Sequence, residues 1–285
     1  MNDNKRLLSL DVLRGFDLLM LVGLQPVLRH ALIELDCQAL NDTLLYQLDH
    51  AEWEGLRVWD MVMPLFLFMS GVTMPYSLPK YRTLNGDLRV WQRVLKRFAL
   101  LFILGMVVQG NVLALDPDRA YIYSNTLQAI AVGYLLTVPL VLYMKPWQQL
   151  ATIFALLVIY SIPMHLCGDW SAQGNFAAMV DKAVLGRFRD GSQLAADGTV
   201  QFAAWYDYTW LWSSLTFCCT VALGSLAGLF TKAGNSDRKA TARKLALVGV
   251  VLFAAGLLCG FVQPVVKRIW TTSFTLYSAG WCYLL

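Results

Sequence analysis

Apolar runs long enough to cross a bilayer recur along the whole 285-residue chain. A hydrocarbon core about 30 Å thick needs a helix of roughly 20 apolar residues. Hydrophobic residues make up 57% of the chain and charged residues only 15%, too little polar surface to cover a soluble body of this size. We therefore predict an all-α polytopic membrane protein, with one domain over residues 1–285. The apolar runs lie at 13–33, 57–78, 98–115, 125–144, 148–166, 211–230 and 245–262.

A further apolar run begins near Trp270 and reaches Leu285 after about sixteen residues, which is shorter than a full span. Counting it as incomplete, we predict about eight transmembrane helices and expect further C-terminal helices outside this sequence. Fifteen of the 23 Lys and Arg residues then fall on the side of the N-terminus. Because basic residues collect in cytoplasmic loops, this bias predicts a cytoplasmic N-terminus and an inner-membrane location. The predicted external loops are 34–56, 116–124, 167–210 and 263–269.

The net charge of +4 is accounted for by these cytoplasmic loops, so nucleic-acid binding is not predicted. The three histidines, His30, His50 and His165, stand at the external ends of predicted helices without the paired spacing of a metal site. We therefore predict no metal. Cys37 and Cys167 are the two cysteines on the external side, where one disulfide is allowed. The oligomeric state, including a homo-oligomer, stays open.

Two aspartates lie within apolar runs, Asp17 in the first and Asp60 in the second. A carboxylate in lipid costs several kcal/mol, so such groups usually face a cavity or pair with one another. One interpretation is a transporter or channel that uses Asp17 and Asp60 along a broken helix with Pro64 and Pro75. Another is that they belong to an enzyme site, and a purely structural membrane scaffold is the third.

The stretch "LDHAEWEGLRVWDMVMPLFLFMSG", residues 48–71, points to the enzyme. With "RLLSLDVLRGFDLLMLVG", "RVLKRFALLFILGMVVQGN", "NTLQAIAVGYLL" and "VKRIWTTSFTLYSAG", it resembles the heparan-α-glucosaminide N-acetyltransferase family of transmembrane acyltransferases. The most specific part is H-x-x-W-x-G, then four residues and D, then P-x-F-x-F-x-x-G. Here these positions are His50, Trp53, Gly55, Asp60, Pro64, Phe66, Phe68 and Gly71.

The resemblance implies transfer of acetyl from cytosolic acetyl-CoA, across the membrane, to the amino group of a glucosamine-type sugar outside. It also implies that His50 is the catalytic histidine, which Asp49 or Asp60 could orient. An imidazole can take the amine proton directly or carry the acetyl group as a transient adduct. We favour the direct path, since an acyl-imidazole at an external mouth would have to be shielded from water.

Further site residues are predicted on both sides of the membrane. For the acceptor we predict Gln25, where relatives often have asparagine, together with Trp53 and Asp207. The aromatic-rich loop 167–210 is either a set of interfacial anchors or a sugar platform. In the cytoplasmic basic loop, Arg93, Lys96 and Arg97 either hold the loop inside or bind the phosphates of acetyl-CoA.

Overall fold

The computed structural model describes residues 8–35, 37–81, 88–116, 120–195, 197–234 and 237–285, without the side chains of Lys80 and Tyr81. The chain is mostly helical in these ranges. Four basic residues used in the topology prediction, Lys5, Arg6, Arg82 and Arg119, lie outside them.

Most long helices follow the predicted apolar runs, but the third, predicted at 98–115, begins ten residues earlier because its first turns carry basic residues. Helix α1 covers Leu8–Leu35 with a π-helical turn at Met20–Leu24, and short helical turns occupy Gln38–Leu40, Asn41–Leu45 and Tyr46–Leu48. Helix α2 then covers Val58–Ser77 and begins with a 3₁₀ turn at Val58–Met61. The helices that follow are α3 (Leu88–Val108), α4 (Thr126–Tyr143), α5 (Pro146–Leu166), α6 (Phe176–Leu185), α7 (Ser214–Ala233), α8 (Arg238–Gly260) and α9 (Thr272–Leu284).

Within the described ranges, six helices are long and apolar enough to cross a membrane: α1, α2, α4, α5, α7 and α8. This confirms the prediction of a helical, membrane-type fold. Helix α3 is equally long but begins with basic residues, and α9 has 13 residues. The count of about eight spans and the cytoplasmic N-terminus stay predictions.

Helices α2 and α7 form the centre of the fold and pack with their backbones in contact. A Cβ atom on Gly71 would lie 1.9 Å from the Val221 carbonyl oxygen, and one on Gly224 would lie 2.1 Å from that of Phe68. Small residues at such a crossing allow the close packing that drives helix association in membranes. Helix α2 is therefore rigidly placed, and so is Asp60 near its first turn.

The predicted external loop 167–210 is a folded segment. It contains α6 and two short antiparallel strands, β1 (Ser192–Leu194) and β2 (Val200–Phe202), with Ser192 opposite Phe202. Asp181 of α6 fastens the residues just before α7, since its carboxylate accepts the backbone N–H groups of Trp210 at 2.7 Å and Leu211 at 3.0 Å.

The disulfide that the sequence allows is not formed. Cys37 and Cys167 are both exposed free thiols; Cys37 follows the end of α1, and Cys167 caps α5. The external segment is therefore held by hydrogen bonds and packing.

Candidate active site

The segment that contains the histidine motif is fastened to the loop between α8 and α9. Gly55 has φ +114°, a conformation open to glycine and strained for other residues. Its N–H donates to the Val265 carbonyl at 2.7 Å, and Glu54 pairs with Val266 in an antiparallel bridge. The glycine of the motif thus brings the residue after Val266, Lys267, against the beginning of α2.

Asp60 is the centre of the polar cluster formed there. Its Oδ1 lies 2.7 Å from Nδ1 of His50 and accepts a hydrogen bond from Nζ of Lys267 at 3.2 Å. Its Oδ2 accepts the backbone N–H groups of Ala51 and Arg57, each at 3.1 Å. Its side chain is 1% exposed. Four donors surround this buried carboxylate, which meets the requirement for a charge in an apolar site.

The surroundings of His50 determine which ring nitrogen holds the proton. Nζ of Lys267 lies 3.0 Å from Nδ1, but an ammonium group can only donate. If Nδ1 accepted a hydrogen bond from Lys267, its lone pair would also face the negatively charged Asp60 Oδ1 at 2.7 Å, and the two would repel. With the proton on Nδ1, both His50 and Lys267 donate to Asp60, so this tautomer satisfies all three groups. Nε2 is then left as the hydrogen-bond acceptor and base.

Lys267 supplies the positive charge of the cluster. Its side chain is 9% exposed, and burial lowers the pKa of its ammonium group, an effect that the Asp60 carboxylate opposes. Sequence reasoning missed this residue. Its signal was the adjacent pair Lys267–Arg268 in a short loop predicted to be external, where basic residues are disfavoured.

A cavity of about 790 Å³ opens beside this cluster. His50, whose side chain is 41% exposed, and Lys267 form part of its wall. The volume is within the range of sites for small molecules. Apolar residues of α1, α2 and α4 line its inner part: Leu18, Val62, Met63, Phe66, Leu127 and Ile130.

The outer part of the cavity combines aromatic rings with an ion pair. Asp207 accepts a hydrogen bond from Arg268, and the Arg268 guanidinium lies 5.6 Å from the centre of the Tyr208 ring. Trp205 is 72% exposed on the same wall. Nearby, burial raises the pKa of the Asp190 carboxyl group above its ordinary value. Of the predicted acceptor residues, Asp207 is the one that the structure brings to the cavity.

The other predicted residues around His50 make contacts within the protein. Asp49 forms an ion pair with Arg29 at 3.0 Å, and Gln25 donates to the Leu48 carbonyl at 2.9 Å. Both contacts fasten α1 to the chain just before His50. Trp53 donates to the Trp170 carbonyl at 2.9 Å and so fastens the motif to the external segment. None of the three is among the residues that line the cavity.

Two further sets of predicted residues lie elsewhere. Arg93, Lys96 and Arg97 are on α3, and the Arg97 guanidinium lies 4.3 Å from the centre of the Tyr134 ring. Asp17 is buried on α1, and no described residue forms a hydrogen bond with its Oδ2. Neither Asp17 nor Asp60 is among the residues that line the cavity.

Within the described ranges there is no group of three or more His, Cys, Asp or Glu side chains that could hold a metal ion. At the cavity, His50 offers an imidazole that the buried Asp60 contacts from behind, and Asp207 and Arg268 offer polar groups for a small molecule.

Comparison with known proteins indicates the family of the chain. No curated protein matches it in a direct comparison. The sequence profile described as "Heparan-alpha-glucosaminide N-acetyltransferase, catalytic" matches residues 6–179, well over half of the chain. This range includes His50 and Asp60, whereas Asp207 and Lys267 lie beyond it. With the histidine held by a buried carboxylate at a cavity among membrane-type helices, the match shows that the chain belongs to the heparan-alpha-glucosaminide N-acetyltransferase catalytic family, an acetyltransferase family.

Proposed function

We propose that the protein transfers acetyl from cytosolic acetyl-CoA to the amino group of a glucosamine-type sugar on the external side of the inner membrane. The observation that carries this proposal is the histidine cluster. His50 offers Nε2 as a base at a cavity, and the Asp60 carboxylate, which Lys267 also contacts, holds its other nitrogen in the protonated form. The histidine cluster and the family match both support an acetyl-transfer reaction.

The reaction needs a base for one proton. The amine nitrogen of the sugar attacks the thioester carbonyl carbon, so a carbon–nitrogen bond forms and the carbon–sulfur bond breaks. Nε2 of His50 takes a proton from the attacking nitrogen and returns it to the leaving sulfur, which gives the amide and CoA as a thiol. Asp60 stabilises the imidazolium that exists between the two transfers. Atoms and charge balance without a further reactant.

The direct path fits this arrangement better than an acetyl-histidine. Nδ1 donates to a buried carboxylate that two backbone N–H groups and Lys267 also hold. Such support fixes a base in one orientation, as effective proton transfer requires. His50 is also 41% exposed, so an acetylated imidazole would meet water. The histidine therefore acts as a base within a complex of both substrates.

The acceptor sugar occupies the outer part of the cavity. Trp205 and Tyr208 offer aromatic faces, while Asp207 and Arg268 offer charged groups for hydroxyl hydrogen bonds. Asp49, Gln25 and Trp53 shape the mouth of the site through their contacts with Arg29, Leu48 and Trp170. The donor enters from the cytoplasmic side, where Arg93, Lys96 and Arg97 on α3 attract its phosphates.

Replacement of His50 tests the function. In purified protein in nanodiscs, we expect His50→Ala to lower acetyl transfer to glucosamine by at least about a thousandfold, because alanine cannot accept the proton. Acetyl-CoA binding is expected to persist, since the nucleotide docks at the other side of the membrane. His30→Ala is the matched control, since His30 is exposed near the end of α1 and outside the cavity. Wild-type transfer by His50→Ala would contradict the proposed function.

A further inference from the structure

One carboxylate on the cavity wall has no cationic partner in contact. Of the residues that the structure describes, Asp190 and Asp207 bring carboxylates to this wall. Arg268 pairs with Asp207, and Lys267 pairs with Asp60 behind the wall. Asp190 forms no ion pair with any described residue. The outer part of the cavity therefore contains a negative charge that the described part of the chain leaves unmatched.

Asp190 is held at the wall by a tight turn at residues 189–192. The Ser192 N–H closes the turn by donating to the Arg189 carbonyl at 3.1 Å, and Gly191 has φ +75°, a conformation that favours glycine. A Cβ atom on Gly191 would lie 2.6 Å from Cβ of Tyr206, another residue of the cavity wall. The backbone at Asp190 is thus fixed by close packing against the wall itself.

The adjacent cation, Arg189, is committed to other groups. Its side chain is buried, and Nη2 donates to the carbonyls of Tyr206 at 3.1 Å and Tyr208 at 3.4 Å. Its charge acts on Asp190 without an ion-pair contact, and burial outweighs it, so the pKa of the Asp190 carboxyl group is raised. A half-buried carboxylate of this kind is stabilised most by a ligand that brings its own positive charge.

The surroundings of Asp190 favour an organic cation over a metal ion. The rings of Trp205 and Tyr208 line the same cavity, and aromatic rings beside a carboxylate attract an alkylammonium group. A hard metal ion needs several oxygen ligands, whereas the other carboxylate of the wall is already paired with Arg268. A primary amine, which is largely protonated at neutral pH, meets these requirements.

We propose that Asp190 binds the amino group of the acceptor in its ammonium form and thereby distinguishes the amino sugar from its N-acetylated product. This inference rests on the proposed function. Acetylation converts a cation into a neutral amide, so the product loses the charged contact that the substrate makes. The Asp190 carboxylate is then unmatched again, which weakens product binding and favours release.

Binding of the ammonium form comes before the transfer step and adds one proton to it. The ammonium nitrogen has no lone pair, so it loses one proton to water at the mouth of the cavity before it attacks the thioester. Nε2 of His50 then takes the second proton and returns it to the sulfur. The ammonium sugar and acetyl-CoA thus give the amide, CoA as a thiol and one proton in solution. Asp190 acts on acceptor binding and takes no part in the bond changes.

The experiment compares the charged acceptor with its neutral product. In wild-type protein in nanodiscs at neutral pH, we expect glucosamine to bind more tightly than N-acetylglucosamine. Asp190→Asn should weaken glucosamine binding about tenfold, because a charge-assisted contact is lost, and N-acetylglucosamine binding less than about twofold. The KM for glucosamine should rise with little change in kcat. Asp190→Glu keeps the charge and is expected to retain the preference for glucosamine.

Asp197→Asn is the matched control, since it removes the same charge from the exposed turn between β1 and β2. It is expected to leave both affinities unchanged.

Three results would overturn the assignment. Equal weakening of both ligands in Asp190→Asn would mean that Asp190 shapes the cavity without distinguishing charge. Unchanged affinity for both would mean that the amino group binds elsewhere. A lower kcat with unchanged glucosamine affinity would move Asp190 into the transfer step. Each leaves the proposed function standing, which fails separately if the wild-type protein transfers no acetyl group to glucosamine.

Discussion

The histidine cluster and the Asp207–Arg268 ion pair place charges at the same cavity by opposite means. At the cluster, Asp60 is surrounded by His50, Lys267 and two backbone N–H groups, so each charge has its partner within the chain. At the outer ion pair, Asp207 and Arg268 contact each other, and both line the cavity. A complete buried network fixes a geometry, whereas charges on a cavity wall also lie within reach of a ligand.

The two regions also differ in how the chain assembles them. The cluster joins residues that are 207 positions apart, Asp60 and Lys267, through a backbone pairing between loops. The outer ion pair joins Asp207, near the end of the external segment, to Arg268 in the loop between α8 and α9. Mutations at the cluster should therefore affect stability and catalysis together, and mutations at the outer ion pair should affect chiefly acceptor binding.

The largest effect is expected from Asp60→Asn. An amide can neither stabilise an imidazolium nor balance the charge of Lys267, so we expect acetyl transfer to fall by a factor of about 10³ or more. The variant should also lose about 3–5 kcal/mol of stability, because Lys267 is left buried without its counter-charge. Initial rates of acetyl transfer and thermal melting in detergent measure the two losses.

A second substitution separates the two losses. In the double variant Asp60→Asn with Lys267→Met, the unpaired ammonium group is gone, and much of the stability should return. Activity should stay low, because His50 still lacks the carboxylate that orients it. If activity returned together with stability, Asp60 would be a structural residue and the comparison with the outer ion pair would lose its basis.

Gly55→Ala is expected to have the next largest effect. At φ +114° an alanine is strained by about 2 kcal/mol, and relief of that strain would move the Glu54–Val266 bridge and with it Lys267. We expect lower thermal stability and a lower maximal rate, with unchanged acetyl-CoA affinity. Gly23→Ala on α1 serves as control, because an added Cβ there meets no atom within 4 Å. A higher KM for the acceptor in Gly55→Ala would show that the two regions are coupled.

Much of the helical framework could be predicted from sequence, because an apolar run of about 20 residues has few alternatives to a membrane-type helix. The motif around His50 likewise identified the histidine and two candidate carboxylates. Local sequence could not decide between Asp49 and Asp60, since both lie near His50 along the chain. The structure resolves this through Arg29, which pairs with Asp49 and leaves Asp60 to contact the imidazole.

Other parts of the site depend on contacts that the sequence does not display. Lys267 reaches Asp60 only after Gly55 pairs with Val265, and no local pattern encodes that pairing. Gln25 and Trp53 have polar groups that suit contacts with a ligand, yet they donate to backbone carbonyls. Whether a donor group faces a substrate or a carbonyl is determined by tertiary packing.

A smaller effect is expected from Asp207→Asn at the outer part of the cavity. The substitution removes the charge that pairs with Arg268, so we expect about a tenfold higher KM for the acceptor and unchanged affinity for acetyl-CoA. Asp197→Asn is the matched control, since Asp197 is exposed and contacts Thr199 in the turn between β1 and β2. An equal change in KM for both substrates would show that Asp207 supports the whole cavity.

The smallest effect concerns Asp181, a buried carboxylate that resembles neither region. It accepts two backbone N–H groups but forms no ion pair among the described residues, and burial raises its pKa to about 6, with Arg189 opposing the shift from a longer distance. Because the folded state binds this proton more tightly than the unfolded state, the stabilisation is complete below the unfolded pKa near 4 and is lost as the pH rises through 6. Between pH 5 and pH 7, the wild-type protein should therefore lose about 1 kcal/mol relative to Asp181→Asn, whose amide does not ionise. Thermal melting of both proteins across this range measures the difference. If the difference in stability between the two proteins did not change with pH, two N–H groups would keep a buried carboxylate ionised as well as the cation beside Asp60 does. Lys267 would then not be needed for charge balance in the cluster.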